Sequence, residues 1–153
     1  MHIWALNLNT LNDKLSIMSQ DLDKTRHSVY RLNYHLVLVI KYRRKVINEH
    51  VYDRLMEIFT DIGLKYDIEV LESNFESDHI HILFKATPNI NLQKFVNAYK
   101  SASSRLIKKE YPEIKKDLWK SAFWKKGYFI TTTGGANIET IKKYIEKQKT
   151  GVN

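Results

Sequence analysis

Residues 78–85 read DHIHILFK, and this stretch predicts a β-strand, whose side chains alternate with a two-residue period. Successive side chains of a strand point to opposite faces of the sheet. His79 and His81 therefore share one face, and Ile80 and Ile82 share the other. The isoleucine side predicts contact with the core, and we expect the histidine side to lie on an open face of the sheet.

The remaining elements are predicted outward from this strand by the same periodicities. Runs of β-branched and apolar residues predict strands, and apolar residues at i, i+3 and i+4 predict helices. The predicted elements in chain order are a strand at 34–40, a helix at 51–62, strands at 66–71 and 78–85 joined by a polar turn at 72–77, a helix at 91–110, a strand at 123–133 and a helix from Asn137 to about Lys149. This β-α-β-β-α-β-α order predicts an α+β fold of the split βαβ, ferredoxin-like or RRM-like type. Its four-stranded antiparallel sheet has helices on one face and an added C-terminal helix.

The chain of 153 residues is long enough for one domain with a core and too short for two ordinary ones. Residues 1–28 show no sustained period and predict an N-terminal extension before a patterned domain at 29–153. The internal Met18 precedes that domain, so Met1 and Met18 are both candidate starts of the natural chain.

Composition excludes several classes of protein. No apolar run approaches the roughly 18–20 residues of a membrane span, so we expect no membrane partner. Residues 1–10 lack the basic start and small-residue cleavage site of a signal peptide. The chain has no cysteine, which excludes disulfide scaffolds, thiolate zinc sites and cysteine nucleophiles. We expect a reducing, cytoplasmic setting.

The charge balance indicates a polyanionic partner. Lys and Arg total 25 against 17 Asp and Glu, a net charge of +8. The charges of residues 1–28 cancel, so the surplus lies in 29–153 and nucleic acid is the simplest partner. Basic and aromatic residues are also interleaved there, as in single-strand binders, although a solvated basic surface over core aromatics fits the same pattern. The residues expected to bind nucleic acid are Lys41, Arg43, Arg44, Arg105, Lys125 and Lys126.

The histidine pair is the first candidate site. Two imidazoles two positions apart on one strand face can hold a divalent cation between them. Paired surface histidines without a metal fit the same His79-Ile80-His81 pattern.

The last predicted helix contains the second candidate site. Tyr144 and Gln148 lie four positions apart and therefore share one helix face. A tyrosine at the edge of the core fits this spacing, and so does a phenol nucleophile beside an amide oxygen available to a metal. Tyr128 is a competing nucleophile, although a strand would hold it less movably. The Gly134-Gly135 pair fits either a tight connection or a hinge that swings the Tyr144 helix.

Six segments together carry a family resemblance, although each alone is weak. In chain order they are Tyr34-His35-Leu36-Val37 with Lys41-Tyr42-Arg43-Arg44-Lys45-Val46, Asp78-His79-Ile80-His81-Ile82-Leu83, Ser103-Ser104-Arg105, Leu118-Trp119, Phe129-Ile130-Thr131-Thr132-Thr133-Gly134-Gly135-Ala136 and Ile141-Lys142-Lys143-Tyr144-Ile145-Glu146-Lys147-Gln148. Over about residues 30–149 the chain resembles the single-tyrosine HUH transposases of bacterial and archaeal insertion sequences. Residues 29–153 would then be the catalytic domain.

The resemblance implies a metal-dependent DNA transesterase with Tyr144 as nucleophile and Mg²⁺ or Mn²⁺ held by His79, His81 and Gln148. It implies recognition of hairpins in single-stranded DNA and a 5′-phosphotyrosine intermediate with a free 3′-OH. It also implies a homodimer in which the tyrosine helix of one subunit completes the histidine site of the other. Two imidazoles suit Mn²⁺ better than Mg²⁺, which prefers oxygen ligands. No P-loop pattern occurs, which fits a reaction without a nucleotide cofactor.

Two other functions remain open from the sequence. An HUH replication initiator or relaxase would use the same chemistry, but the Tyr144-x-x-x-Gln148 helix favours the transposase. An RRM-type RNA-binding module would share the element order and need no metal. Such a module would carry stacking aromatics on its central strands, where this chain has His79 and His81.

Overall fold

The computed structural model describes residues 31–132 and 143–147. Several predicted features lie outside these residues, namely the extension at 1–28, the Gly134-Gly135 connection, the Asn137 cap and Gln148. In the described part of the chain, no helix is both long and apolar enough to cross a membrane.

Four strands and two long helices make up most of the described chain. They are β1 (Leu32–Val39), α1 (Glu49–Leu64), β2 (Glu69–Glu76), β3 (His79–Ala86), α2 (Leu92–Glu110) and β4 (Phe129–Thr132). Short 3₁₀ turns span Lys41–Arg43, Pro112–Asp117 and Trp119–Ser121, and residues 143–147 are helical. The strands form one antiparallel sheet in the order β2-β3-β1-β4. This topology confirms the predicted split βαβ plan.

The two long helices pack on the isoleucine face of β3, as predicted. An asparagine caps each of them, because the Asn48 and Asn91 side chains accept hydrogen bonds from backbone N–H groups of the first turn at 2.9 and 3.0 Å. Phe59 of α1 lies edge-to-face with Phe95 and Tyr99 of α2, at ring distances of 5.1 and 5.0 Å. These rings and the apolar side chains of β1 and β3 form the main core.

β2 extends beyond its predicted end, and residues 72–76, predicted as a turn, belong to the strand. The reason is a β-bulge: Val70 pairs with Phe84 and Glu72 with Leu83, so Leu71 is an extra residue. The extra residue reverses the alternation of side chains, which brings both Val70 and Phe75 onto the core side. A two-residue period followed from residue 66 therefore fails at Leu71.

β4 begins at Phe129, six residues later than predicted. Phe123 and Trp124 are apolar for another reason, because both side chains are buried in the main core. Trp124 makes only an isolated bridge with Ile40, and Gly127 then turns the chain with φ +87°. Apolar content in this segment therefore reflects burial rather than strand pairing.

The histidine face of the sheet is covered in part, whereas the sequence predicted an open face. Ile145, from the helical residues 143–147, is 4% exposed and packs against Val37, Val39 and Leu83. β1 and β3 thus present apolar side chains on both faces, and burying the second set favours coverage by this segment. The region becomes a second, smaller core beside the histidines.

Candidate active site

His79 and His81 lie at the start of β3 on this second face. The antiparallel register places His79 opposite Val39 and His81 opposite Val37. Each histidine is only 2% exposed. The two imidazoles are therefore buried side chains of one sheet face and not the surface pair that the sequence left as an alternative.

A carboxylate orients the first histidine. Oδ1 of Asp78 lies 2.6 Å from Nδ1 of His79, and Asp78 is itself buried. Burial would raise the pKa of Asp78, but hydrogen bonds from His79 and Arg43 and their charges outweigh burial and hold that pKa below its usual value. Because Asp78 is an ionised acceptor, Nδ1 of His79 is the donor in this contact, and a neutral His79 would present Nε2 as its lone-pair nitrogen. Histidines that bind metals in proteins are commonly oriented in this way.

A third histidine, which the sequence analysis did not identify as a site residue, lies on the same face. The rings of His35 in β1 and His81 are 5.5 Å apart. Burial lowers the pKa of His35 to about 4, and burial together with the neighbouring histidines lowers the pKa of His81 to about 3. Both imidazoles are therefore neutral at physiological pH, which is the form that binds metals.

Alternation of side chains along β1 shows that His35 lies on one of the two faces of the sheet, but it does not show which residues of β3 it meets. The pairing register, which places His35 opposite Leu83 and diagonal to His81, is not visible in the sequence. Among the described residues, no group of three or more His, Asp or Glu side chains is arranged to hold a metal ion. His35 is thus a neighbour of the histidine pair rather than an established third ligand.

Arg43 links the histidine strand to the helical residues 143–147. Its Nε donates to Oδ2 of Asp78 and its Nη1 donates to Oε1 of Glu146, both at 2.8 Å. The sequence predicted Arg43 as a nucleic-acid contact, and two carboxylates engage it here. The arginine therefore couples the carboxylate that orients His79 to the residue two positions after Tyr144.

Tyr144 lies on the histidine side of the sheet. Its ring is 5.4 Å from that of Phe129, and Nζ of Lys125 lies 5.1 Å from its centroid. Burial raises the pKa of Tyr144 to about 12, so the phenol is protonated at neutral pH. Tyr128, the competing tyrosine, packs against the main core on the other side. β1 lies between the histidine strand and β4, whose Phe129 contacts Tyr144.

The other predicted basic residues divide into two regions. Lys41 and Lys125 lie close together because backbone hydrogen bonds join their segments. The Lys41 N–H donates to Phe123 O, and the Lys125 N–H donates to Val39 O. Arg44 and Lys126 are exposed, and they follow Lys41 and Lys125 closely in the chain.

Arg105 lines a basic groove along α2, which reaches Lys125 because Nζ of Lys100 donates to Lys125 O at 2.8 Å. The groove has a volume of about 930 Å³, and no acidic residue stands among the described residues that line it. Its basic residues are Lys100, Arg105, Lys108, Lys109 and Lys115. A surface of this charge suits the phosphates of a nucleic acid.

Comparison with known proteins places the chain in a family. The family described as "Transposase IS200 like" matches residues 28–148. The chain is 38% identical over 132 residues to the ISDra2 transposase TnpA of Deinococcus radiodurans, covering 86% of this chain and 94% of that protein. It is 27% identical over 122 residues to the transposase for insertion sequence element IS200 of Salmonella typhimurium, covering 80% of each.

Solved structures agree with this assignment. A crystal structure of a protein from Deinococcus radiodurans R1, described as a transposase, superposes with a TM-score of 0.73 at 34% identity and covers 82% of this chain and 97% of that one. A REP-associated tyrosine transposase bound to a REP hairpin shares the fold, with a TM-score of 0.52 at 10% identity and coverage of 84% and 74%. Because the family match spans most of the sequence and a relative exceeds a third identity over nearly its whole length, this chain belongs to the IS200-like transposase family.

Proposed function

We propose that this transposase binds DNA hairpins at the ends of its element and cleaves and rejoins single-stranded DNA through a 5′-phosphotyrosine on Tyr144. Family membership supports the reaction class. One observation carries the assignment of the site: the sheet face that buries the carboxylate-oriented His79 beside His81 also receives the segment with Tyr144. A structural neighbour, the REP-associated tyrosine transposase, is bound to a REP hairpin, which supports a hairpin as the DNA element that is recognised.

The histidine pair fits a divalent metal. Both imidazoles belong to one strand face, burial keeps His81 neutral, and Asp78 fixes the tautomer of His79 that presents Nε2. Two imidazoles favour a transition ion such as Mn²⁺ over Mg²⁺, and Gln148 remains the predicted third ligand. When bound, such a cation neutralises and orients the scissile phosphate.

Tyr144 performs the covalent step in this proposal. Its phenol oxygen forms a bond to phosphorus while the bond from phosphorus to the 3′ oxygen breaks. The phenol loses its proton and the departing 3′ oxygen gains one. The phenol is protonated in the resting arrangement, so attack requires the phenolate to be stabilised. Lys125, whose ammonium lies over the Tyr144 ring, is positioned to favour that phenolate.

The proposal includes a homodimer that exchanges the segments containing Tyr144. Residues 143–147 are held to the sheet by the burial of Ile145 and by the Arg43–Glu146 ion pair. The Glu146 side chain is 68% exposed, and an exposed ion pair contributes at most about 1 kcal/mol. This weak electrostatic attachment is compatible with movement of the tyrosine between a subunit's own histidines and those of a partner.

The alternative of an RRM-type module is not supported by the sheet. On the histidine face, the described parts of the central strands β1 and β3 carry histidine, valine and leucine. RRM modules stack bases on aromatic residues at such positions.

Covalent capture tests the proposal. Hairpin-bearing single-stranded DNA with Mn²⁺ or Mg²⁺ should give a protein–DNA adduct on a denaturing gel. Tyr144→Phe should abolish the adduct and retain hairpin binding, whereas the matched change Tyr128→Phe should keep both. An adduct that persists in Tyr144→Phe would show that another residue is the nucleophile.

A further inference from the structure

Two aromatic rings lie side by side on the surface, outside the candidate active site. Tyr42, in the turn after β1, and Trp119, in the turn after α2, meet edge-to-face with centroids 5.1 Å apart. Trp119 is 37% exposed. The other large hydrophobic side chains that are exposed in the described chain, Leu32 and Leu64, are aliphatic. We call these two rings the aromatic pair. An exposed indole adds little to the core, so its placement calls for another explanation.

The backbone around the aromatic pair is strained on both sides. Five non-glycine residues in the described chain have positive φ, and four of them are Tyr42, Arg43, Lys120 and Ser121, with φ from 47° to 61°. The left-handed region is unfavourable for such residues and persists only where surrounding structure imposes it. Strain of this kind concentrates at functional sites.

Backbone hydrogen bonds impose this arrangement. The Lys41 N–H donates to Phe123 O at 2.9 Å, and the Ala122 N–H donates to Trp119 O at 2.9 Å. Lys108 of α2 further donates from Nζ to Ser121 O at 3.1 Å. The two turns are therefore tied to each other and to α2, which holds the rings together before any ligand arrives.

Ammonium groups lie over both rings. Nζ of Lys41 is 5.1 Å from the Tyr42 centroid and 5.7 Å from the Trp119 centroid, and Nζ of Lys120 is 4.8 Å from that of Trp119. Contacts of this kind are weak at exposed positions. A nucleotide offers a base to the ring and a phosphate to the ammonium, so it can replace both contacts with stronger ones.

The aromatic pair adjoins both the candidate active site and the basic groove through its neighbours in the chain. Arg43, next to Tyr42 in the chain, reaches Asp78 on the side of His79. Ser121, two residues after Trp119, lines the groove along α2 with Lys108 and four other basic residues. A strand that leaves the groove past Ser121 towards Arg43 would meet the pair.

We infer that Tyr42 and Trp119 form a stacking platform for an unpaired base of single-stranded DNA, with Lys41 and Lys120 moving from the rings to the flanking phosphates. This inference rests on the proposed function, since it assumes a single-stranded substrate. It assigns the pair a ligand class, a nucleobase outside a duplex, and makes no assumption about which base is bound.

The test compares a short oligothymidine strand with an abasic phosphodiester strand of the same length, by fluorescence anisotropy. Wild-type protein should prefer the strand with bases. Trp119→Leu should weaken binding of oligothymidine about tenfold and leave binding of the abasic strand unchanged, because a single base–aromatic contact is lost. Trp119→Phe should restore most of the affinity, since it keeps a ring.

Tyr42→Asn guards against a merely structural effect. Asparagine tolerates positive φ, so this change should maintain or raise the thermal midpoint while it lowers affinity for oligothymidine. The matched control is Leu64→Ala, which shortens an exposed apolar side chain at the end of α1. It should change neither the thermal midpoint nor the affinity for oligothymidine.

Equal losses on both strands, or no loss in Trp119→Leu, would overturn the inference. A wild-type protein without preference for the strand with bases would also overturn it. The covalent adduct on Tyr144 reports on the proposed function separately, so an adduct without base preference would reject only the platform.

Discussion

Nη1 of Arg43 lies 2.8 Å from Oε1 of Glu146, although the two residues are 103 positions apart in the chain. The same guanidinium donates to Asp78, whose other oxygen contacts His79. One arginine thus spans from the strand with the histidines to the helical segment with Tyr144. The contact gives the position of that segment an electrostatic dependence that can be tested.

Glu146→Gln should loosen residues 143–147 without unfolding the protein. The exposed pair contributes at most about 1 kcal/mol, so the thermal midpoint should change little. Amide hydrogen exchange of residues 143–147 should become faster. Glu57→Gln, which removes a comparable exposed carboxylate from Arg54 in α1, is the control and should leave that exchange unchanged. Unaltered exchange in Glu146→Gln would mean that other contacts, such as the packing of Ile145 and Tyr144, hold the segment without this ion pair.

Asp78→Asn should weaken metal binding at the histidine pair. The change removes the carboxylate that fixes the tautomer of His79, and loss of such an orienting partner typically lowers affinity about 10–100-fold. Isothermal titration of DNA-free protein with Mn²⁺ measures this directly. The protein should also lose about 2 kcal/mol of stability, because Asn accepts through one oxygen only and the charge that strengthens the hydrogen bonds from His79 and Arg43 is removed.

Asp67→Asn is the control for that titration. Asp67 pairs with Arg31 at the surface, with 71% of its side chain exposed. It should leave Mn²⁺ affinity as it is. Equal affinity in wild type and Asp78→Asn would show that the carboxylate does not orient a ligand.

Stability of the metal-free protein should fall with pH below about 6.5, the ordinary pKa of histidine. Burial lowers the folded-state pKa of His35 to about 4, so the unfolded chain binds the proton first. The stabilisation is therefore complete above about pH 6.5 and is lost as pH falls towards 4, by at most about 3 kcal/mol for this group. His81, with a pKa of about 3, acts in the same direction.

Urea unfolding in EDTA between pH 4 and pH 7 measures this dependence. His35→Phe should reduce the slope of stability against pH, because one buried titrating group is removed. His50→Gln, an exposed histidine at the start of α1, should leave the slope unchanged. A slope that is the same in His35→Phe would contradict the burial argument.

Lys125→Met should slow adduct formation at neutral pH. Its ammonium lies over the Tyr144 ring, and its removal raises the cost of forming the phenolate. At saturating DNA we expect a rate roughly tenfold lower and a pH profile displaced upward by about one unit. Lys126→Met, the exposed neighbour, should leave the profile in place. A lower rate with an undisplaced profile would assign Lys125 to DNA binding alone.

The order of elements and the sharing of one face by His79 and His81 could be predicted from the sequence, because both depend on local periodicity. The apolar period of α1 and α2 and the alternation in β3 survive in the structure. The period failed where tertiary structure interrupts it, at the extra residue Leu71 in β2 and in the segment before β4, whose Phe123 is buried without strand pairing.

The surroundings of the histidines were decided by the tertiary structure. Side-chain parity assigns a residue to one of two faces but says nothing of its neighbours across the sheet. The register that brings His35 to His81 and the path that brings Glu146 to Arg43 depend on how distant segments pair. The same holds for Tyr42 and Trp119, which the fold brings into contact from two separate turns. Local sequence determines which way a side chain can point, whereas contacts between segments far apart in the chain determine what it meets.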